Sequence, residues 1–379
     1  MISFEQVLAL RLRAQHLTRQ STDGTKTVAG IVKGVCGIQA QEALAAALAI
    51  RVRGSKLLAS DVERTLVQER SIVRTWGPRG TLHLLATEDL RWLLRLLGPV
   101  FIAANRRRRE ELGLDEETCQ QGIHLLGQIL ANQGALTRAE IVQQLALHGL
   151  QLEGQARPHL LMRAALEGVL CFGPDSGAEP AYVLMDDWLE HERQAPAFSE
   201  EMAYAELSRR YLAAYGPATP HDQAAWSGLP LSRIRQAWGA IAEQLVEVEI
   251  AGVAAWMLKE YAAWLDEQAF PPVTVHLLPR FDIYLLGYQK RDLVLPAQYA
   301  RRVNAGGGMI HPTILVDGRV IGTWKSVHKK KVVDISIEPF EALPARVYPG
   351  LEAEIADLAH FLGVASTWQV LALPQSSHQ

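Results

Sequence analysis

Ile72-Val73-Arg74-Thr75-Trp76, Gly77-Pro78-Arg79-Gly80, Thr81-Leu82-His83-Leu84-Leu85: a β-rich run, a turn and a second β-like run follow one another directly. The β-branched residues of the first run and the Gly and Pro between the two predict a hairpin. What precedes it has helical period. Ser3 to Leu17 is amphipathic, and Val28 to Gly37 carries Val28, Ile31, Val32 and Val35 at helical spacing. A third helix is expected from about Glu42 to Val52, and Ser60-Asp61-Val62-Glu63 reads as a capping box opening a helix to about Glu69. Helices followed by a hairpin make a winged helix, whose second helix can project into the major groove of DNA while the first crosses the backbone.

The same order recurs. Helices near Glu116 to Ala131, Thr137 to His148 (opened by the capping box Thr137-Arg138-Ala139-Glu140) and Pro158 to Glu167 precede candidate strands at Val169 to Phe172 and Ala181 to Met185, with the loop GPDSGAEP between them. A third set follows: Glu201 to Tyr215, Pro220 to Trp226, a Ser-Gly-Leu-Pro turn, Leu231 to Gln244, then strands Leu245 to Ile250 and Ala254 to Leu258. Three helix-helix-helix-hairpin blocks point to tandem repeats of one architecture. The candidate recognition helices offer Arg157, His159 and Arg163 in the second block and Arg233 and Arg235 in the third, compatible with phosphate contacts and equally with ordinary surface. After about Pro271 the chain turns β-rich: VTVHLL, a long MIHPTILV, VIGTWKSV and KVVDISIEP, then a helix from about Ala345 to Leu362 and a strand near Trp368 to Leu373. Asp317-Gly318 between β-branched runs is a strong hairpin signal.

At 379 residues and 49% hydrophobic, the chain can bury real cores in two to four domains. Its three cysteines, Cys36, Cys119 and Cys171, are far apart and in no zinc-holding pattern, so buried free thiols in a reducing cytoplasm are expected. The opening residues lack a secretory apolar stretch, and runs such as Ala43 to Ile50 fall well short of the roughly 20 residues that span a bilayer. A soluble, cytoplasmic protein is expected. A net charge of -3 exerts no global pull toward nucleic acid, so DNA binding must come from local patches such as Arg106 to Arg109 and Lys329 to Lys331.

The sequence has no HExxH, no GxxxxGK[ST], no GxSxG elbow and no dinucleotide fingerprint after a strand; Gly306-Gly307-Gly308 lacks that context. No metal and no cofactor are expected. What stands out is Cys36-Gly37-Ile38-Gln39-Ala40-Gln41-Glu42, two amides flanking an alanine in the gap between two helices. In an extended segment residues two apart share a face, so Gln39 and Gln41 can converge on one point. The plainer alternative is that they cap backbone groups at the start of the next helix.

Four separated stretches in order give the chain a resemblance: GIQAQ at Gly37 to Gln41, VRTWGPRGTLHLL at Val73 to Leu85, LLPRFDIYLLGYQKR at Leu277 to Arg291, and GGGMIHPTILVDGRVIGTW at Gly306 to Trp324. The chain resembles the AlkZ/YcaQ-type winged-helix DNA glycosylases. The resemblance implies an α+β fold of three tandem winged-helix units forming a concave DNA-binding surface, followed by a β-rich C-terminal domain. On this sequence the divisions expected are 1–110, 111–198, 199–270 and 271–379. It also implies that a glutamine-x-glutamine motif is catalytic, which carries over onto Gln39 and Gln41. The sister branch, associated with YcaQ, has aspartate at the second position; this sequence has Gln41, which places it with the AlkZ branch, linked to bulky alkylpurine adducts and interstrand crosslinks.

The expected activity is a monofunctional DNA glycosylase excising N7-alkylguanine and N3-alkyladenine, with duplex DNA as partner and no membrane or nucleotide cofactor. Three winged helices in one chain already supply an extended surface, so a monomer associated with the nucleoid is expected. Glu42 is read as an ordinary first-turn glutamate, with electrostatic support of a developing cation as the sharper alternative. Arg79, in the wing turn, and His83, in the next strand, are placed near phosphate or backbone, with a structural hydrogen bond as the other reading. Arg319 and Lys325 belong to the Asp317-Gly318 hairpin, which can reach into a groove, with ordinary surface charge as the favoured alternative; Asp282 and Trp324 are read as structural, and His311 has no apparent partner. The rival readings are a noncatalytic winged-helix regulator or lesion binder, which would be expected to dimerise on two half-sites, and a protein-interaction scaffold without salt-dependent DNA affinity.

Overall fold

A computed structural model describes residues 1–18, 27–177, 179–189, 198–265, 273–306 and 308–373. Ala178, Gly307 and the division expected between 270 and 271 lie outside them.

The chain opens with α1 (Phe4–Ala14), α2 (Val28–Gly34), the two-residue strand β1 (Ile38–Gln39), α3 (Ala43–Arg51) and α4 (Ala59–Val67). Strands β2 (Ile72–Trp76) and β3 (Leu82–Ala86) follow, then α5 (Thr87–Ala104), α6 (Arg106–Glu111) and α7 (Glu116–Gln133). Next come β4 (Leu136–Thr137), α8 (Arg138–Leu147), α9 (Ala156–Leu166), β5 (Leu170–Phe172), β6 (Ala181–Leu184) and α10 (Met185–Trp188). Helices α11 (Glu200–Tyr215), α12 (Pro220–Ser227) and α13 (Leu231–Ala240) lead to β7 (Leu245–Ile250) and β8 (Val253–Leu258). The remainder holds β9 (Val275–Leu278), α14 (Ile283–Leu286), α15 (Ala300–Val303), β10 (Asn304–Gly306), β11 (Met309–Ile310), β12 (Thr313–Val316), β13 (Arg319–His328), β14 (Val332–Pro339), α16 (Tyr348–Leu362) and β15 (Ala365–Val370). The fold is mixed α+β.

These elements gather into two compact units, one from Met1–Val62, Leu207–Trp226 and Pro230–Gln379, the other from Glu63–Glu206 and Ser227–Leu229. In the second unit the two expected hairpins do not stand apart. β2 pairs antiparallel with β3, β5 with β6 and β6 with β4, while Arg74 opposite Phe172 joins β2 to β5, giving the order β3-β2-β5-β6-β4. Trp76, Phe172 and Tyr182 pack ring to ring across this seam, with centroids 5.5 and 4.6 Å apart. The core below is aliphatic, built from Ile123, Leu126 and Leu130 of α7, Ile141 and Leu145 of α8, and Leu160 and Leu161 of α9.

One local expectation is corrected here. The box at Ser60–Glu63 does not open α4, because Ser60 already lies inside it; Asp61 reaches back instead, its carboxylate accepting from the Leu58 N–H at 2.8 Å. The 18-residue α5 has no counterpart among the expected helices and runs through Gly98-Pro99. Gly98 packs closely on α9, where a Cβ would sit 2.5 Å from the Leu166 carbonyl oxygen.

In the first unit β9, β12, β13 and β14 form antiparallel neighbours, and β15 adds to β14 in parallel after the α16 crossover. The expected long strand MIHPTILV is two: Pro312 ends it, β11 pairs with β10, and β12 joins the large sheet. Asp317 and Gly318 have φ of 47° and 81°, the two left-handed residues of a tight hairpin turn.

Candidate functional site

Two left-handed residues end α2: Cys36 at φ 57° and Gly37 at φ 99°. Their N–H groups close on the Lys33 and Val32 carbonyls, which stops the helix and turns the chain into the Ile38–Gln41 segment. Ile38 and Ala40 are buried in the core, 1% and 0% exposed. The strand is two residues long, Ile38–Gln39, with both buried. Gln39 is 7% exposed, and Gln41, past the end of the strand, lies at the surface. The N-cap of α3 is taken by Glu42, whose side chain makes no capping bond. Its carboxylate accepts instead from Arg280 Nη1 at 2.8 Å.

The other end of α3 is locked into the interior. Arg53 forms a two-pronged pair with Asp282, Nη1–Oδ2 2.8 Å and Nη2–Oδ1 2.7 Å, both side chains fully buried. Arg53 also donates to Ala49 O and Gln15 Oε1, and Asp282 caps α14 through the Tyr284 N–H. Arg51 donates to Asp357, to Glu354 and to the Leu277 carbonyl. Burial would raise the Glu354 carboxyl, but the Arg51 guanidinium, His276 and the Leu277 N–H together hold it well below the usual carboxylate range. His276 bridges α16 to the N-terminal segment: Nε2 meets Leu17 O at 2.7 Å, so it carries the proton, and Nδ1 lies 3.6 Å from Glu354. Asp282 and Trp324 hold structural positions, the Trp324 indole donating to Leu278 O at 2.8 Å.

Arg79 and His83 belong to the second unit. The turn between β2 and β3 is tight, with the Gly77 N–H on Thr81 O and the Gly80 N–H on Gly77 O. Arg79 takes φ 58° and ψ 11° within it, a left-handed conformation that an arginine holds only at a cost of about 1 kcal/mol or more. His83 is 2% exposed, and its Nδ1 lies 2.9 Å from Thr81 O, which makes Nδ1 the donor. Burial, with the Arg79 charge adding to it, pushes the imidazole down to about 3. The ring is neutral and buried with Nδ1 engaged on Thr81 O, so it offers a phosphate no charge and a structural hydrogen bond is in place.

A pH dependence follows. The unfolded chain protonates His83 below its ordinary pKa of 6.5, whereas the folded protein resists until about 3. The stability tied to this neutral ring is complete above the unfolded value and falls as pH drops through the window, by up to about 1.4 kcal/mol per unit. His83→Asn is expected to flatten the decline of the denaturation midpoint over this range. An unchanged slope would show that His83 protonates freely in the folded state.

Arg319 and Lys325 both lie on β13, exposed, but not at a projecting tip. The Asp317-Gly318 turn is packed down: Tyr284 donates to Gly318 O at 3.0 Å, and a Cβ on Gly318 would meet Leu8 at 2.8 Å. Arg319 faces Glu5 at 3.9 Å and Lys325 pairs with Glu338 at 2.7 Å. The exposed tip is at the opposite end, Val327 to Lys331. Arg163 is also no surface cation; it is 6% exposed and bound to Glu116 and Glu167. Arg106, Arg107 and Arg108 make exposed pairs with Glu110 and Glu111, while Arg109 is buried. Arg280 escaped sequence reading because its partner Glu42 is 238 residues away. Cys36, Cys119 and Cys171 are buried thiols. Among the described residues no group of His, Cys, Asp and Glu could hold a metal, and no helix is long and apolar enough to cross a membrane.

Comparison with known proteins gives consistent matches. A family model described as DNA glycosylase AlkZ-like matches residues 32–361. An interstrand DNA cross-link repair glycosylase of Streptomyces sahachiroi is 30% identical over 390 aligned positions, covering 96% of this chain and 97% of that protein. The solved structure of the Streptomyces sahachiroi DNA glycosylase AlkZ superposes with a TM-score of 0.81 at 27% identity, over 98% of this chain and all of the other.

Proposed function

The chain belongs to the AlkZ-like family of DNA glycosylases, and from that premise we propose that it releases alkylated purines from duplex DNA with water held by Gln39 and Gln41. The observation that carries this reading is the Ile38–Gln41 segment between α2 and α3, which sets Gln39, buried, and Gln41, exposed, two residues apart. Alkylation at N7 of guanine or N3 of adenine makes the base cationic, so its departure relieves charge and little leaving-group activation is needed. Two neutral amides, each with an acceptor oxygen and a donor NH2, then orient a water toward the deoxyribose C1′. They are not bases, and their contribution is placement. The Streptomyces sahachiroi relative is named for interstrand cross-link repair, and in this chain the proposed chemistry would unhook a crosslink when the linked purine is the leaving group.

Arg79 and His83 of the β2–β3 hairpin, and Arg319 and Lys325 of β13, are proposed to meet phosphate or backbone of the DNA. The three helix-and-hairpin blocks are proposed as winged-helix modules at 1–110, 111–198 and 199–270, with 271–379 as the β-rich module. A monomer acting at the chromosome in the cytoplasm completes the reading.

The test is product analysis. With duplex carrying N7-methylguanine, the free base and an intact strand that breaks only on heating in alkali are expected, without a borohydride-trapped adduct, because no lysine serves as a Schiff-base nucleophile. Tight binding without release, from this duplex and from one with a bulky N7 adduct, would leave a noncatalytic lesion binder.

A further inference from the structure

Helix α3 is held at both ends by one short segment, Leu277 to Asp282. At its C-terminal end Arg51 donates to the Leu277 carbonyl and Arg53 grips Asp282. At its N-terminal end Arg280 Nη1 donates to Glu42 Oε1 at 2.8 Å. The two ends differ in exposure. Arg53 and Asp282 have no exposed side-chain surface, whereas the Arg280 and Glu42 side chains are 35% and 44% exposed. Nor is Arg280 a loose surface arginine. The Leu277 N–H is fixed on Glu354, Phe281 next to it is held left-handed at φ 58°, and Asp282 is locked by Arg53.

Glu42 is the residue immediately after Gln41, and it spends its carboxylate on Arg280 rather than on capping α3. We propose that Arg280 is a positioning residue for the glutamine pair: by gripping Glu42 it fixes the point where the extended segment enters α3, and with it the direction of the Gln41 amide. The inference rests on the reading that Gln39 and Gln41 hold the water.

The opposing role for Glu42 is electrostatic, a carboxylate supporting the oxocarbenium. The two roles differ in sign at Arg280. A guanidinium bonded to that carboxylate weakens its field, so an electrostatic Glu42 would work better without Arg280. A positioning pair fails alike whichever partner is removed, and removing both adds nothing.

Single-turnover base release from N7-methylguanine duplex, with protein in excess, separates them, read beside duplex affinity. Arg280→Gln and Glu42→Gln are each expected to slow release about tenfold, the scale of a small misplacement of a positioning group. The double variant is expected to match the slower single, Arg280→Lys to keep most of the rate, and affinity to hold within about twofold. A wild-type or faster rate in Arg280→Gln would overturn the proposal. So would multiplying effects in the double variant, or weakened binding at an unchanged rate, which would make Arg280 a phosphate contact. Gln39→Ala and Gln41→Ala run alongside keep the two readings apart. Full activity in these removes the catalytic assignment itself, while dead glutamine variants beside an unaffected Arg280→Gln remove only the positioning role.

Discussion

Gln41→Ala is expected to slow release of N7-methylguanine by about a hundredfold or more at saturating protein while leaving duplex affinity nearly unchanged, as loss of a preorganised hydrogen-bonding group at the reacting centre does. Gln41 is at the surface, on a segment whose fold is set by Ile38 and Ala40 beneath it, so its truncation leaves no cavity. Gln39→Ala should be as inactive, but Gln39 is 7% exposed and its removal also disturbs packing. Gln39→Asn, which keeps the amide and draws it back by one methylene, separates the two effects. If placement of the water is the function, Gln39→Asn is slow although its denaturation midpoint stays near the wild-type value. The assay is burst-free single-turnover kinetics with alkali-revealed abasic sites, read beside fluorescence anisotropy of the same duplex.

The largest expected stability effect lies at Arg53 and Asp282. Both side chains are fully buried and joined by two short charge-assisted bonds. Removing one partner strands the other charge in the interior, which typically costs about 3–5 kcal/mol. Asp282→Ala also removes the α14 cap at Tyr284, and Arg53→Met leaves Gln15 Oε1 and the Ala49 carbonyl without that donor. Either single change is expected to lower the denaturation midpoint sharply, measured by circular dichroism against guanidinium. The double change Arg53→Met with Asp282→Leu should recover a substantial part, because no charge is then left unpaired. A double variant as unstable as the sum of the singles would show that the two side chains contribute independently and that no stranded charge sets the cost.

How much of this was legible in sequence follows from which forces are local. The β2–β3 hairpin, the Thr137–Glu140 capping box and the Asp317-Gly318 turn were readable because their determinants lie within a few residues. Helix α5 was not read at all, and what requires Gly98 within it, the close approach of the Leu166 carbonyl 68 residues on in the numbering, is invisible to a local window. Merging of the two hairpins through Arg74 and Phe172 was missed for the same reason.

The site divides in the same way. That Gln39 and Gln41 lie between two helices was readable from Gly37 and the helical periods on either side, but their unequal burial was not. His83 sits in a strand whose sequence gives no hint that the ring would be sealed and neutral. Arg319 and Lys325 were assigned to the Asp317-Gly318 hairpin, whose turn is packed against Leu8 and Tyr284. The packing of the Asp317-Gly318 turn and the Glu42–Arg280 pair involve partners far away in sequence, which composition and spacing do not encode.

The central claim, that neutral amides place the water and no titrating side chain drives it, is tested most directly by the pH dependence of single-turnover release from N7-methylguanine duplex. The amides do not titrate, so the catalysed rate divided by the spontaneous release rate from the same duplex at each pH is predicted to be flat between about pH 6 and pH 9. A tenfold change per unit anywhere in that interval would reveal an essential acid or base and contradict the account.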